Sequence, residues 1–234
     1  MSDMHHPQLP LKLNKRPEVD FSHFIALGNE QLLAQLNSVS IHTLPQWLYV
    51  WGAPQCGKSH LLQATCQLAE GAGRSAFYIS CNELVDLDPD VLSQLYDIDF
   101  VAIDDIQYVL GEPRWEEALF HLYNQLRDSG KSLLVSAVCA PRYLEAGLAD
   151  LKSRLSAMEI YQVAPLDEDG KRLFLKAAAD QRGFALPEEV VVYVLSRADR
   201  SLNALQQLID KLDHQSLQEK RLITVPFVKK VMGW

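Results

Sequence analysis

Apolar positions in this chain follow two regimes that change at Pro165. Before it, short apolar runs at Trp47–Trp51, Ala76–Ser80, Phe100–Ile106, Ser132–Val138 and Met158–Val163 alternate with segments of helical spacing over 58–70, 113–127 and 142–155. A further helical region is broken at Asp88-Pro89. Strands that read as near-continuous apolar runs, each followed by a helix, predict a parallel sheet covered on both faces. Ahead of the first strand, a Gly28-Asn29 break precedes an amphipathic helix carrying Leu32, Leu33 and Leu36. Beyond Pro165, helical periods fill 167–182, 187–197, 200–216 and 225–232 with no strand between them. Asp167 is an N-cap candidate, and Pro187-Glu188-Glu189 has the composition of a first helical turn. The pattern therefore predicts an extended arm over 1–20, a three-layer α/β unit over 21–165 and a small all-α lid over 166–234.

The 234 residues, 48% hydrophobic and 22% charged, suffice for one large core and a small satellite. No apolar run reaches the length of a membrane span, and MSDMHHPQLP lacks a signal-peptide pattern, so a soluble cytoplasmic protein without a membrane partner is expected. A net charge of −8 argues against a chain whose main work is gripping a nucleic-acid backbone; proteins and nucleotides are the favoured partners. Cys56, Cys66, Cys81 and Cys139 form no C-x-x-C pair and the histidines show no ligand spacing, so neither zinc nor a disulfide framework is expected. Cys56 alone falls at a site open to functional oxidation.

That site is the loop Gly52-Ala53-Pro54-Gln55-Cys56-Gly57-Lys58-Ser59, with His60 next in the following helix. It is a G-x-x-x-x-G-K-S loop between a strand and a helix, the context a phosphate-binding loop requires. Gly52 and Gly57 allow the backbone to wrap an anion, and the loop and helix amides point at phosphates. Lys58 reaches the β and γ oxygens, and the Ser59 hydroxyl is placed to ligate Mg²⁺. The buried strand FVAID delivers Asp104 and Asp105 to its carboxyl end, where ligands bind in open parallel sheets. Asp104 is expected to hold Mg²⁺, directly or through water, and Asp105 to orient or deprotonate an attacking water.

Together, the phosphate loop, the Asp-Asp strand, Ser153-Arg154-Leu155 before the fifth strand and the helical lid resemble the AAA+ ATPases, over about residues 18–234. Within them, Ile103-Asp104-Asp105-Ile106-Gln107 is similar to the strand signature of the bacterial replication initiator DnaA. The resemblance implies ADP or ATP with Mg²⁺ as cofactors. It further implies that Arg154 is an arginine finger reaching the γ-phosphate on a neighbouring protein, that Arg200 is the sensor II arginine of the lid, and that Phe24 and Ile25 pack beside the adenine. Two positions depart from the family: Asp105 stands where most members have Glu, and only Ser136 lies near the usual Asn, Thr or Asp of sensor I. Gln8-Leu9-Pro10-Leu11-Lys12-Leu13 is similar to peptides that dock on the bacterial sliding clamp, the beta subunit of the polymerase, through Gln8, Leu9, Leu11 and Leu13. With no DNA-reading helix-turn-helix after the lid, the chain resembles DnaA-related regulators that lower initiation by stimulating ATP hydrolysis on DnaA. The implied partners are DnaA and the clamp, which would bring the protein to the nucleoid, with self-association as an option and no sequence-specific DNA contact. An ATP-cycling helicase loader or a DnaA-like ATPase is the alternative. A P-loop kinase would need clustered lid arginines, whereas Arg172, Arg182, Arg197, Arg200 and Arg221 are scattered.

Overall fold

Five parallel strands, β1 (Trp47–Trp51), β2 (Ala76–Ser80), β3 (Phe100–Asp104), β4 (Ser132–Ala137) and β5 (Glu159–Gln162), form one sheet in a computed structural model that describes residues 19–41 and 44–234. Their order is β2-β3-β4-β1-β5. The strand feeding the phosphate loop and the strand delivering Asp104 are therefore not neighbours, because β4 runs between them. Trp47 pairs with Leu133 on one side of β4, and Phe100 pairs with Ser132 on the other.

Alternate residues of each inner strand enter opposite cores, as a two-residue side-chain period requires. Leu48, Val50, Phe100 and Leu134 pack with Leu36 of α1 (Glu30–Ile41) and with Leu61 and Leu62 of α2 (Lys58–Gly71). Tyr49, Val101, Ile103 and Val135 face the other core, which is closed by α3 (Cys81–Leu84), the 3₁₀ segment Pro89–Leu95, α4 (Pro113–Asp128) and α5 (Ala149–Ser156). Both faces of the inner sheet are thus dry, in keeping with its unbroken apolar runs.

The lid consists of α6 (Glu168–Asp180), α7 (Glu188–Arg197), α8 (Leu202–Glu219) and α9 (Val225–Met232), around a separate core that includes Leu175, Val194, Leu205 and Phe227. The Asp167 carboxylate caps α6 by accepting the Gly170 N–H at 2.8 Å.

Three predicted elements change. The strand expected to run to Ile106 stops at Asp104, because Asp105 turns into the left-handed region with φ 54° and ψ 54°. The helix expected over 142–155 is a 3₁₀ turn at Pro141–Tyr143 and then α5, separated by an extended stretch through Gly147. The last strand is an edge with Glu159, Ile160 and Gln162 exposed, so the expectation of burial on both faces fails there. The extended arm through residue 18, including Gln8, Leu9, Leu11 and Leu13, lies outside the described residues.

Candidate functional site

The loop after β1 closes tightly on itself. A Cβ on Gly52 would sit 2.8 Å from Cys56 Sγ, and one on Gly57, whose φ is +99°, would meet Phe24 Cε2 at 2.7 Å. Only glycine fits both places, and the space denied to a side chain leaves the loop amides free to face an anion. Lys58, 4% exposed at the start of α2, donates to the carbonyls of Gly52 at 3.1 Å and Ala53 at 3.3 Å. Its ammonium also lies 3.8 Å from Asp105 Oδ1, a buried oxygen with no hydrogen-bond donor among the described residues.

Behind that oxygen lies a network that depends on β4. The Ser136 hydroxyl donates to Asp104 Oδ1 and accepts the Asp105 N–H at 2.8 Å. From β2, the Tyr78 hydroxyl donates to Asp104 Oδ2 at 2.7 Å; burial first, then the adjacent carboxylate, push the Tyr78 phenol above its ordinary pKa. Ser136 thus orients the acidic pair instead of facing the cleft. Ser136→Ala strands one buried acceptor and one buried donor, and is expected to cost about 1–3 kcal/mol of stability by calorimetry with the nucleotide loop unchanged.

Two adjoining clefts open over this floor. One, of about 290 Å³, is lined by Phe24, Ile25, Cys56, Leu166 and Phe174 with the lid residues Asn203 and Gln206, so its walls are largely apolar. The other, of about 480 Å³, is lined by Pro54, Gln55, Lys58, Ser59, Asp105 and Asn203 among others. His60 borders both, and its Nε2 lies 2.9 Å from the Asp20 carbonyl, which can only accept, so the ring carries its proton there. Burial holds the imidazole pKa below its ordinary value. Burial likewise pushes the Cys56 thiol up, which makes it a poor thiolate and a weak candidate for oxidation chemistry.

The donors fit Mg²⁺ bound together with phosphates. Ser59 and Asp105, both with hard oxygen donors, line one cleft, and Asp105 Oδ1 lacks a hydrogen-bond donor among the described residues. Among the described residues no three His, Cys, Asp or Glu side chains form a metal cage, and a cation that completes its shell with phosphates and water needs none.

The family model for the bacterial DnaA ATPase domain matches residues 14–161. The chain belongs to that family. A model for the Hda lid domain matches residues 167–232, so the chain is a DnaA-type AAA+ protein with an Hda-type lid. Among solved structures it resembles domain III of the Thermotoga maritima replication initiation protein DnaA, at 24% identity over 93% of this chain and 97% of that one, with a TM-score of 0.82. AMPPCP-bound DnaA from Aquifex aeolicus matches at 19% identity over 88% and 70%, with a TM-score of 0.73. The Thermotoga maritima RuvB Holliday junction branch migration motor matches at 17% over 92% and 72%, with a TM-score of 0.71. These likenesses place the sheet and lid within one fold. Among the described residues, no helix is long and apolar enough to cross a membrane.

The sequence-predicted residues differ in where they lie: Asp105 lines a cleft, and Asp104 sits behind it, bonded to Ser136 and Tyr78. Phe24, Ile25 and Pro54 to His60 line the clefts, with Gly52 and Ala53 directly beneath through their carbonyls. Arg200 does not: it lies just before α8 and pairs with Glu168 at 2.8 Å, while Asn203 and Gln206, one turn further on, face the nucleotide space. The signal that marks those two is Ser201, an N-cap whose hydroxyl accepts the Ala204 N–H, so that the helix begins after Arg200. Arg154 lines neither cleft; it lies on α5, half-buried, with its guanidinium carbon 5.8 Å from the Tyr123 ring centre.

Proposed function

We propose that this protein is a nucleotide-bound negative regulator of replication initiation, which docks on the sliding clamp and stimulates hydrolysis of ATP held on DnaA by inserting Arg154. The observation that carries the reading is the position of Arg154. It is away from the chain's own clefts, forms no ion pair with a described carboxylate and rests on an aromatic face. A guanidinium so presented is available to a neighbour's phosphates. As water attacks the γ-phosphorus and the bond to ADP breaks, the guanidinium stabilises negative charge spreading over the transferred group.

The chain's own site serves binding. Lys58 and the loop amides hold the β-phosphate of ADP or ATP, Phe24 and Ile25 flank the adenine, and the lid closes over it through Asn203. Mg²⁺, when bound, would be held by Ser59 and Asp105 at the cleft, with Asp104 behind them acting through water, and would neutralise phosphate charge. Among the residues lining the two clefts, Lys58 is the only lysine or arginine, which favours a diphosphate and slow turnover over a triphosphate and rapid turnover.

The test is a reconstituted assay containing DnaA loaded with ATP, clamp on DNA and this protein with or without residues 8–13. Removal of the hexapeptide should abolish clamp pull-down and return DnaA hydrolysis nearly to its unstimulated rate. Full stimulation without clamp contact would overturn the docking role, and rapid ATP turnover by the protein alone would favour a loader or motor.

A further inference from the structure

Among the described residues, the buried carboxylates are Asp104 and Glu116. Asp104 belongs to the nucleotide site. Glu116, 3% exposed in the first turn of α4, forms no salt bridge with a described side chain. Its partners are backbone amides of two separate loops. Oε1 accepts the N–H of Gly111 at 2.7 Å and of Gly147 at 2.9 Å, and Oε2 accepts that of Leu148 at 2.6 Å. Burial alone would raise the pKa of this carboxyl, but the three amides outweigh burial and hold it below the ordinary glutamate value. At neutral pH it is therefore a buried anion satisfied by backbone N–H groups.

Two of those amides stand at the entry to α5. Leu148 is the N-cap of that helix and has no side-chain oxygen with which to cap it. Glu116 supplies from the neighbouring helix the acceptor that the Leu148 cap lacks, and adds its charge to that of Asp150 in the first turn of α5. The register matters as much as the bonds. Glu116 and Tyr123 lie on one face of α4, two turns apart, and Gly147 and Arg154 are separated by the same number of residues in the following segment. Glu116 meets Gly147 and Tyr123 meets Arg154, so α4 and α5 run alongside each other in the same sense with one fixed offset, tied at points about 10 Å apart. Leu151, buried between the ties, and Leu155, just past the second, belong to the same core as Leu119 and Leu122, but apolar contacts of that kind tolerate sliding far better than three charge-assisted hydrogen bonds do.

We propose that Glu116 is a positioning residue for Arg154: by holding the backbone at Gly147 and Leu148 it fixes the offset of α5 on α4, and so holds the guanidinium on Tyr123, in the orientation offered to a neighbouring protein. The proposal rests on the reading that Arg154 acts on a partner's nucleotide. A finger displaced by about 1 Å loses on the order of 10²-fold in rate, whereas docking through other surfaces is untouched.

The experiment compares wild type with Glu116→Gln, Glu116→Asp, Arg154→Ala and the Glu116→Gln/Arg154→Ala double variant. Each is measured for maximal stimulation of DnaA-bound ATP hydrolysis, for half-saturating concentration and for amide exchange. Glu116→Gln keeps the size but turns one acceptor into a donor facing an N–H. It is expected to lower the maximal rate by about 10- to 10²-fold, to leave the half-saturating concentration within about twofold, and to speed exchange at Gly147 and Leu148 with α2 unchanged. Glu116→Asp should fall between it and wild type, and the double variant should lose no more than Arg154→Ala alone. Undiminished stimulation by Glu116→Gln beside a dead Arg154→Ala overturns the positioning role and leaves the finger standing. So does additive loss in the double variant, or exchange that rises throughout the domain. If Arg154→Ala stimulates fully, the functional reading falls instead, and exchange at Gly147 and Leu148 alone decides whether the tether exists.

Discussion

Arg154→Ala is expected to reduce stimulated hydrolysis on DnaA by about 10³- to 10⁵-fold, the range by which a finger supplied in trans accelerates phosphoryl transfer. The expectation is specific because Arg154 does so little for its own chain. It lines neither nucleotide cleft, and its contact with Tyr123, a cation held 5.8 Å from an aromatic centre, is worth about 0.5–1 kcal/mol. ADP affinity should therefore be unchanged, and the melting temperature should fall by no more than about 4 °C. Arg154→Lys should recover little, since a lysine has the charge without the planar fork that spans two phosphoryl oxygens. Single-turnover hydrolysis of ATP preloaded on DnaA, with clamp and DNA present, gives the rate directly. Near-normal stimulation by the alanine variant would refute the finger.

The second large effect falls on the chain's own nucleotide. In Lys58→Ala the loop keeps its glycines but loses the sole lysine or arginine lining either cleft. The variant also leaves Asp105 Oδ1 buried without the ammonium 3.8 Å away. ADP binding should weaken by at least about 10²-fold, equivalent to about 2.7 kcal/mol. The clearest measurement is the melting shift. At 100 times its dissociation constant ADP should raise the wild-type melting temperature by about 5–11 °C, and the same concentration should barely move the variant. An equal shift in both proteins would mean that the clefts bind nucleotide by some other means.

What could be read from the sequence was whatever short covalent spacing determines. The phosphate loop and the capping Asp167 are local, and both stand where their spacing put them; of the acidic pair, Asp105 lines a cleft while Asp104 turns to Tyr78 and Ser136 behind it. Contacts made across the sheet were not legible. Nothing in Leu133-Leu134-Val135-Ser136 announces that β4 inserts between β1 and β3, and without that placement the Ser136 bonds to Asp104 and Asp105 cannot be foreseen. Glu116 escaped notice because its partners are main-chain amides, which have no sequence signature. At the lid, an arginine drew attention away from helix phase: Arg200 precedes α8 and turns to Glu168, so the face toward the cleft starts at Asn203. The edge strand shows the opposite failure, since Met158–Val163 reads as buried on both sides although β5 is the last strand of the sheet and exposes Glu159, Ile160 and Gln162.

The interposed β4 also constrains how this protein can drift over evolutionary time. It acts as a spacer of single-strand width, so the bank at Gly52 and the acidic bank at Asp104 stand about 9.5 Å apart, bridged by the reach of Lys58 to Asp105 and, on the acidic side, by Ser136. A bulkier residue at 136 would act as a wedge and part both banks at once, and neither could compensate alone. A side chain at 136 therefore has to be short and to accept and donate at once if Asp104 and Asp105 are to keep their bonds.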